Sequence, residues 1–251
     1  MSRTAAKKAK SKKPAAKSRK KNSAPSRRWR LVLRWLTRGA LAVAVFLVFW
    51  IALYRFVNPP ITPYMLAERY RYGDLRKDWV DLEDIAPSMA RSVVAAEDAN
   101  FCLHWGFDMS AIRNALEEGA NRGASTISQQ VVKNTFLWHG RSWPRKALEA
   151  LMTPVMEALW PKRRIIEVYL NVIEFDQTVF GVGAASQWYF GVDAADLSDR
   201  QAAALAVVLP DPKNRSAKKP TKFLRSRARH AIDGAATIKR DGRSACFDPE
   251  N

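Results

Sequence analysis

Glu97-Asp98-Ala99-Asn100-Phe101-Cys102-Leu103-His104-Trp105-Gly106-Phe107 follows directly on the apolar run Val93-Val94-Ala95-Ala96. The sequence Ser88 to Asn100 reads as a helix that carries Glu97 near its C-terminal end, and His104 and Gly106 close the segment in a tight turn. A carboxylate pair placed straight after apolar residues sits half out of water. Partial burial raises a carboxyl pKa and makes it a usable base near neutral pH. The plain alternative is a helix end with two solvated acids.

Two further stretches bear on that choice. Gly123-Ala124-Ser125-Thr126-Ile127-Ser128-Gln129-Gln130-Val131-Val132-Lys133-Asn134 is dense in uncharged hydrogen-bonding side chains. Its glycine permits backbone conformations that other residues resist. Ser125 or Thr126 suits a helix N-cap, with Gln129 placed to reach back. Next come Arg141 and the run Arg145-Lys146-Ala147-Leu148-Glu149, three cations and an acid within about two and a half helical turns.

Taken in order, these stretches and a basic run further on form four patterns: Glu-Asp-x-x-Phe-x-x-His-x-Gly, Gly-x-Ser-Thr-Ile-x-Gln-Gln-x-x-Lys-Asn, Arg-Lys-x-x-Glu, and the Lys162-Arg163-Arg164-Ile165-Ile166-Glu167-Val168-Tyr169-Leu170-Asn171 run. Together they resemble the motifs of the peptidoglycan glycosyltransferases, the family that also supplies the N-terminal half of bifunctional penicillin-binding proteins. The resemblance covers about Pro60 to Ile232. Ala124 departs from it, standing where the family usually has a second glycine. The resemblance implies a mostly α, two-lobed, lysozyme-like helical domain.

Outward from this core, the charge is uneven. The formal net charge is +18, and residues 1–38 hold 15 of the 42 Lys and Arg with no Asp or Glu, so the remainder is nearly balanced. Residues 1–37 are expected to be a basic, disordered tail. A nucleic-acid arm is the alternative, and the next segment argues against it. Gly39 to Tyr54 is an uncharged apolar run of 16 residues, extended by Leu36, Phe56 and Val57 toward the roughly 20 that span a bilayer. Arg38 and Arg55 can snorkel, and Trp35, Trp50 and Tyr54 suit the interfaces. The competing readings are a buried core helix and a signal peptide, but no small-residue cleavage site follows the run. Residues 38–57 are therefore expected to be a transmembrane helix. The positive-inside rule puts the tail in the cytoplasm and residues 58–251 outside.

Asn58 to Pro63 reads as a stiff linker. Val80 to Met89 has a partial helical pattern with Pro87 in a first turn, and Met109 to Gly119 another helix. Thr135 to Gly140 is an apolar patch in a loop, suited either to core packing or to dipping into a bilayer surface. Pro144 to Leu159 is helical with a kink at Pro154. On the segment 162–172, Arg164, Glu167 and Asn171 share one face and Ile165 and Tyr169 another. Asp196 to Val208 is a helix capped by Ser198 or Asp196, and Arg225 to Ile238 a final amphipathic helix. Strand signals are nearly absent. Cys102 and Cys246 either pair, tying down the C-terminus, or remain two thiols. Three histidines make a His-based zinc site a poor fit, and no Ser-x-x-Lys signature is present.

The resemblance implies a reaction that joins lipid-linked disaccharide-peptides (lipid II) into glycan strands by inverting attack of an acceptor 4-hydroxyl on a sugar C1 bearing polyprenyl pyrophosphate. Such a reaction needs a base for the hydroxyl and positive charge for the leaving group. Glu97 matches the family's catalytic base and Glu149 its second essential acid. Ser125, Gln129, Lys133, Arg141, Arg145 and Lys146 are candidates for binding the pyrophosphate and sugar. Phe101, His104, Gly106, Arg164, Glu167 and Asn171 are candidate structural positions of the motifs. The sequence requires no cofactor, and Glu149 is the candidate ligand should a divalent cation (Mg or Mn) sit at the pyrophosphate. The implied partners are lipid II, the growing strand, the membrane and other cell-wall synthesis proteins, with no nucleic acid. The implied place is the bacterial inner membrane, single-pass, with a periplasmic catalytic domain. Two other classes stand beside this one. A lysozyme-like lytic enzyme would share the fold and a single glutamate but not need the cation cluster. A non-enzymatic protein would bind nucleic acid or lipid through its tail.

Overall fold

The computed structural model describes residues 27–117, 125–140 and 142–248. The expected tail over residues 1–26 lies outside them. The chain divides into two compact units, Met1–Val45 and Phe46–Asn251.

Helix α1 spans Arg27–Tyr54. It begins 11 residues before the expected span, so residues 27–37 are helix and not disordered tail. The reason is local: Arg28, Trp29, Arg30, Leu31, Val32, Leu33, Arg34, Trp35 and Leu36 include no Gly or Pro, and Arg and Leu are strong helix formers. At 1.5 Å per residue its 28 residues reach about 42 Å, enough to cross a hydrocarbon core of about 30 Å. Most of its large apolar side chains from Trp29 to Phe49 are exposed. It is long and apolar enough to cross a membrane.

The second unit is mostly α-helical. It contains α2 (Pro63–Tyr72), α3 (Pro87–Glu97), α4 (Met109–Glu117), α5 (Ile127–Phe136), α6 (Trp143–Leu159), α7 (Lys162–Val172), α8 (Val182–Phe190), α9 (Asp199–Ala206) and α10 (Lys222–Arg240). Where sequence suggested a linker through Pro63, Thr62 caps α2 by accepting from the Met65 N–H, and Pro63 takes the first turn, where its missing N–H costs nothing. Residues 80–86 give only a 3₁₀ turn, Leu82–Asp84, before Pro87 starts α3. Ser198 caps α9, with Gln201 completing a capping box.

A small three-stranded sheet, order β1-β3-β2, escaped the sequence reading. Strands β1 (Arg76–Lys77), β2 (Glu174–Asp176) and β3 (Val179–Phe180) pair parallel between β1 and β3 and antiparallel between β2 and β3. Segments of two or three residues are too short to display a two-residue alternation.

Helices α3, α9 and α10 pack together, and α5 packs on α6 and α7. The centre is filled by Met89, Val93, Phe101, Ile127, Val131, Met156, Ile165 and Tyr169, all fully buried. On the face of α7 shared by Arg164, Glu167 and Asn171, the side chains bond to neighbouring segments of the fold. Asn171 brackets Val80, accepting from its N–H at 2.9 Å and donating to its C=O at 2.8 Å. Arg164 donates to the carbonyls of Tyr54 and Val57, at 3.0 Å each, and pairs with Glu167. These bonds tie α7 to the end of α1. Of the patch 135–140, Phe136 and Leu137 are buried, Phe136 against Trp50 and Tyr54, while Trp138 is exposed. Cys102 and Cys246 form a disulfide with Cα atoms 5.7 Å apart.

Candidate active site

Glu97 is the last residue of α3, and Asp98 leaves the helix with φ −157°. The two neighbouring carboxylates are used differently. Asp98 is buried and fully engaged: Oδ1 lies 2.9 Å from His104 Nε2, and Oδ2 accepts the Ile127 N–H at 2.9 Å, the first amide of α5. An acid at a helix N-terminus complements its orphan N–H groups and dipole. Glu97 is partly buried and touches less. Oε2 accepts from Gln130 Nε2 at 2.9 Å, and among the described residues Oε1 has no hydrogen bond. Burial raises its pKa above the usual carboxylate range, while the Gln130 amide and the charges of Arg227, Lys133 and Arg215 pull it back. Gln130 is in turn oriented by the hydroxyl of fully buried Tyr169, which donates to Oε1 at 3.2 Å.

The turn after Glu97 is locked onto α5 and α6. Gly106 has φ +85°, and a Cβ there would stand 2.7 Å from Thr153 Cγ2, so glycine is required twice over. Its carbonyl accepts from Thr126 Oγ1 at 2.6 Å. Thr126 and Gln129 form a capping box at the start of α5. Gln129, a sugar-binding candidate by sequence, is buried and committed to that cap. Phe101 is fully buried, with Lys162 Nζ 4.5 Å above its ring. Lys162 and Ser128 both donate to buried Glu157, at 2.8 and 2.5 Å.

Lys133 lies one turn along α5 from Gln130 and makes no ion pair among the described residues. Burial lowers its pKa, the charges of Arg145 and Lys146 push the same way, and Glu149 and Glu97 oppose them. The second acid, Glu149, is buried on α6 with each oxygen taken by a cation: Oε2 by Arg145 at 2.7 Å and Oε1 by Lys146 at 2.5 Å. Arg145 also donates to the Gly140 carbonyl at 2.7 Å, and Lys146 to Ser125 Oγ at 3.2 Å. Arg141 and Gly123 lie outside the described residues. No group of three or more His, Cys, Asp or Glu able to hold a metal occurs among the described residues. With both oxygens of Glu149 already paired, that carboxylate does not suit a metal ion.

Beside Lys133 a cleft of about 330 Å³ is lined by Gln130, Asn134, His139, Tyr64, Glu174 and the turn Leu209–Asn214. Asn134 Nδ2 is buried without a hydrogen-bond partner among the described residues. Tyr64 donates to Glu174 and stacks on His139, with ring centroids 3.7 Å apart. Burial and the charges of Lys133, Lys213, Arg145 and Arg71 hold His139 down to about 4. Lys213 pairs with fully buried Glu68 and lies 3.7 Å from Glu174. The structure thus brings Glu97, Lys133, Arg145, Lys146, Glu149 and Ser125 to one region and adds Gln130, Asn134, Tyr169, Arg215 and Arg227, which sequence reasoning missed. For Gln130 a signal existed: it shares a helix face with Lys133 and Asn134 at three- and four-residue spacing. Arg215 and Arg227 are far from Glu97 along the chain, and no local pattern marks them.

A family model described as "Transglycosylase" matches residues 65–236. Several curated proteins named "Biosynthetic peptidoglycan transglycosylase" are similar throughout. That of Jannaschia sp. (strain CCS1) is 57% identical over 235 residues, covering 94% of this chain and 98% of the relative. That of Xanthomonas axonopodis pv. citri (strain 306) is 48% identical, covering 83% and 89%. That of Caulobacter vibrioides is 42% identical, covering 86% and 98%.

Proposed function

The chain belongs to the transglycosylase family, and we propose that its site divides the work between one base and a bank of cations. The enzyme is a peptidoglycan glycosyltransferase that polymerises lipid II into glycan strands. Glu97 takes the proton of the acceptor 4-hydroxyl through Oε1, while Gln130 holds Oε2. The hydroxyl oxygen bonds to C1 of the growing chain from the face opposite the pyrophosphate, so the C1–O bond to the pyrophosphate breaks with inversion. Lys133, Arg145 and Lys146, with Arg141, receive the departing charge. Positive charge preset where negative charge develops is worth most in a site that excludes water. Glu149 spaces Arg145 and Lys146, and no step runs through a metal.

The observation that carries this reading is the pairing of a lone, partly buried Glu97 with Lys133, which makes no ion pair among the described residues. Lys133 has lost hydration without gaining an acid of its own, a state that a bound pyrophosphate would relieve. Asn134 Nδ2, buried beside it and unpartnered among the described residues, is a donor waiting for an acceptor. A lytic enzyme expels a sugar and has no use for this charge.

An N-terminal helix of spanning length fits a membrane-anchored enzyme. The finer topology we propose is an N-terminus in the cytoplasm and residues 58–251 in the periplasm, following the basic residues before the apolar run. Trp138, exposed in the apolar patch 135–140, is the proposed contact with the bilayer surface. Other cell-wall synthesis proteins are proposed partners. The test is incubation of the detergent-solubilised full chain with lipid II, followed by sizing of the glycan. Lengthening supports the reading, and products no longer than the substrate, or shortening of added strands, would refute it.

A further inference from the structure

The last described residues of the chain return to the turn that follows Glu97. Cys246 is bonded to Cys102, across a sequence separation of 144. Phe247 is buried, its ring 6.1 Å from that of Phe101. Its carbonyl accepts from Arg163 on α7 at 3.0 Å. Asp248 accepts from Arg91 on α3 at 2.5 Å, and both side chains are largely shielded from solvent. Arg243 donates to the carbonyl of Ala99 at 3.2 Å. These contacts land on both sides of Glu97: Arg91 lies in the helix before it, and Ala99, Phe101 and Cys102 in the turn after it.

The arrangement has a specific consequence for Glu97. Its position is set by the end of α3 and by the direction the chain takes at Asp98. The side chain is faced by Gln130 and Lys133 from α5, Tyr169 from α7, Arg215 from the turn after α9 and Arg227 from α10. All the charged groups in that set favour an ionised, weakly basic carboxylate. What opposes them is burial, and the turn that the segment holds begins at Asp98, the residue next to Glu97.

We propose that the segment Asp241–Asp248, locked by the Cys102–Cys246 disulfide, is a positioning clamp that keeps the Glu97 carboxylate dry and aimed at the acceptor hydroxyl. The clamp acts through Glu97, so it rests on the reading of Glu97 as the base. The clamp contacts α3, α7 and the turn after α3, whereas Lys133, Arg145 and Lys146 stand on α5 and α6. None of these contacts reaches α5 or α6, and the turn keeps its own bonds to α5 through Asp98 and Gly106, so opening the clamp impairs proton removal more than substrate capture. Reduction by dithiothreitol delivers two electrons and two protons to the bond, leaving two thiols and the reagent's own cyclic disulfide.

The experiment compares kcat and KM for lipid II between pH 5 and 9 in detergent-solubilised full-length protein. The samples are the oxidised enzyme, the enzyme held in dithiothreitol, Cys246→Ser, and the Cys102→Ala/Cys246→Ala double variant with and without dithiothreitol. Opening should lower kcat by about 10- to 100-fold, the scale of a small misplacement of a reacting group. KM should stay within about twofold. The acidic limb of the kcat profile should move to lower pH, because water returning to the carboxylate removes what raised its pKa. A merely structural role would lose activity in proportion to folded protein, read by thermal melting of the same samples, with the limb unmoved, and that result overturns the proposal. So does a dithiothreitol effect that persists in the double variant. If Cys246→Ser does not fold, Phe247→Ala and Arg91→Gln keep the disulfide and loosen the same segment. They should shift the limb the same way, and an unmoved limb refutes the clamp. Glu97→Gln, assayed in parallel, separates the two claims: activity in that variant sinks the base, whereas a dead Glu97→Gln with an unmoved limb in the clamp variants sinks the clamp alone.

Discussion

Replacing Gly106 by alanine should cost the fold heavily for its size. Two penalties add. The residue has φ +85°, and a left-handed conformation costs an L-residue about 1–2 kcal/mol. The new methyl would also stand 2.7 Å from Thr153 Cγ2 and 3.2 Å from Glu157 Cγ. Thr153 cannot rotate aside cheaply, because it is fully buried and its hydroxyl donates to the Glu149 carbonyl at 2.7 Å. Glu157 is held by Ser128 and Lys162. Overpacking of this kind costs about 1–3 kcal/mol, which brings the sum to about 2–5 kcal/mol. At about 2–4 °C per kcal/mol for a chain of this size, Gly106→Ala should melt roughly 5–15 °C below the parent. Tryptophan fluorescence during heating of the solubilised protein measures this. Because the Gly106 carbonyl receives Thr126 at the start of α5, polymerisation should fall as well. A melting shift under about 2 °C would refute the reasoning.

Glu97→Gln should raise the melting temperature at pH 7–8. A carboxyl whose pKa is raised by folding contributes its stability below the unfolded pKa and loses it as pH rises through the folded value. The neutral amide avoids that loss, so the gain over the parent should vanish near pH 4. For the same reason kcat of the parent should fall as pH drops through a value above the ordinary carboxyl range, and a limb at or below the ordinary glutamate value would contradict the burial argument. Tyr169→Phe removes the 3.2 Å bond that orients Gln130. At about 0.5–1.5 kcal/mol for such a bond, kcat should drop about 2- to 10-fold with KM unchanged. Lys133→Ala should slow turnover of the pyrophosphate-bearing donor far more than it weakens acceptor binding, and an unaffected rate would return Lys133 to the ordinary surface. Trp138→Glu in a chain starting at Pro60 should reduce co-sedimentation with vesicles, and no change would mean that Trp138 does not touch lipid.

Most helices were legible because their caps and stripes are local, whereas α2 and α8 were not read as helices. Thr126 with Gln129 is a four-residue signal, Ser198 marks the start of α9, and α7 and α10 show faces at helical spacing. The spanning helix was legible too, although its start was not: arginines at 28, 30 and 34 read as tail, yet charge alone does not stop a helix. Glu97 stood out because it ends an apolar run, and the ordered motifs gave Lys133, Arg145, Lys146 and Glu149. Gln129 and Gln130 show how far local reading goes: the cap role of Gln129 was legible, and the place of Gln130 beside Glu97 was not. Both lie in the same motif, but a glutamine at the third helical position is drawn back to the cap, which leaves the next one to face Glu97. The cations Arg215 and Arg227 and the returning segment Asp241–Asp248 depend on packing of α9 and α10 against α3, a long-range arrangement that no window of sequence contains. The disulfide was an even choice from sequence, since pairing needs the two Cα atoms within reach and sequence gives no distance.

The central claim is that one carboxylate, Glu97, removes the acceptor proton. Turnover of lipid II by Glu97→Gln in the full-length, solubilised protein tests it most directly, with circular dichroism and thermal melting confirming that the variant is folded. The account predicts a loss of at least about 100-fold, the lower end of what a positioned base contributes. A folded Glu97→Gln enzyme that polymerises lipid II at a near-parental rate would contradict it.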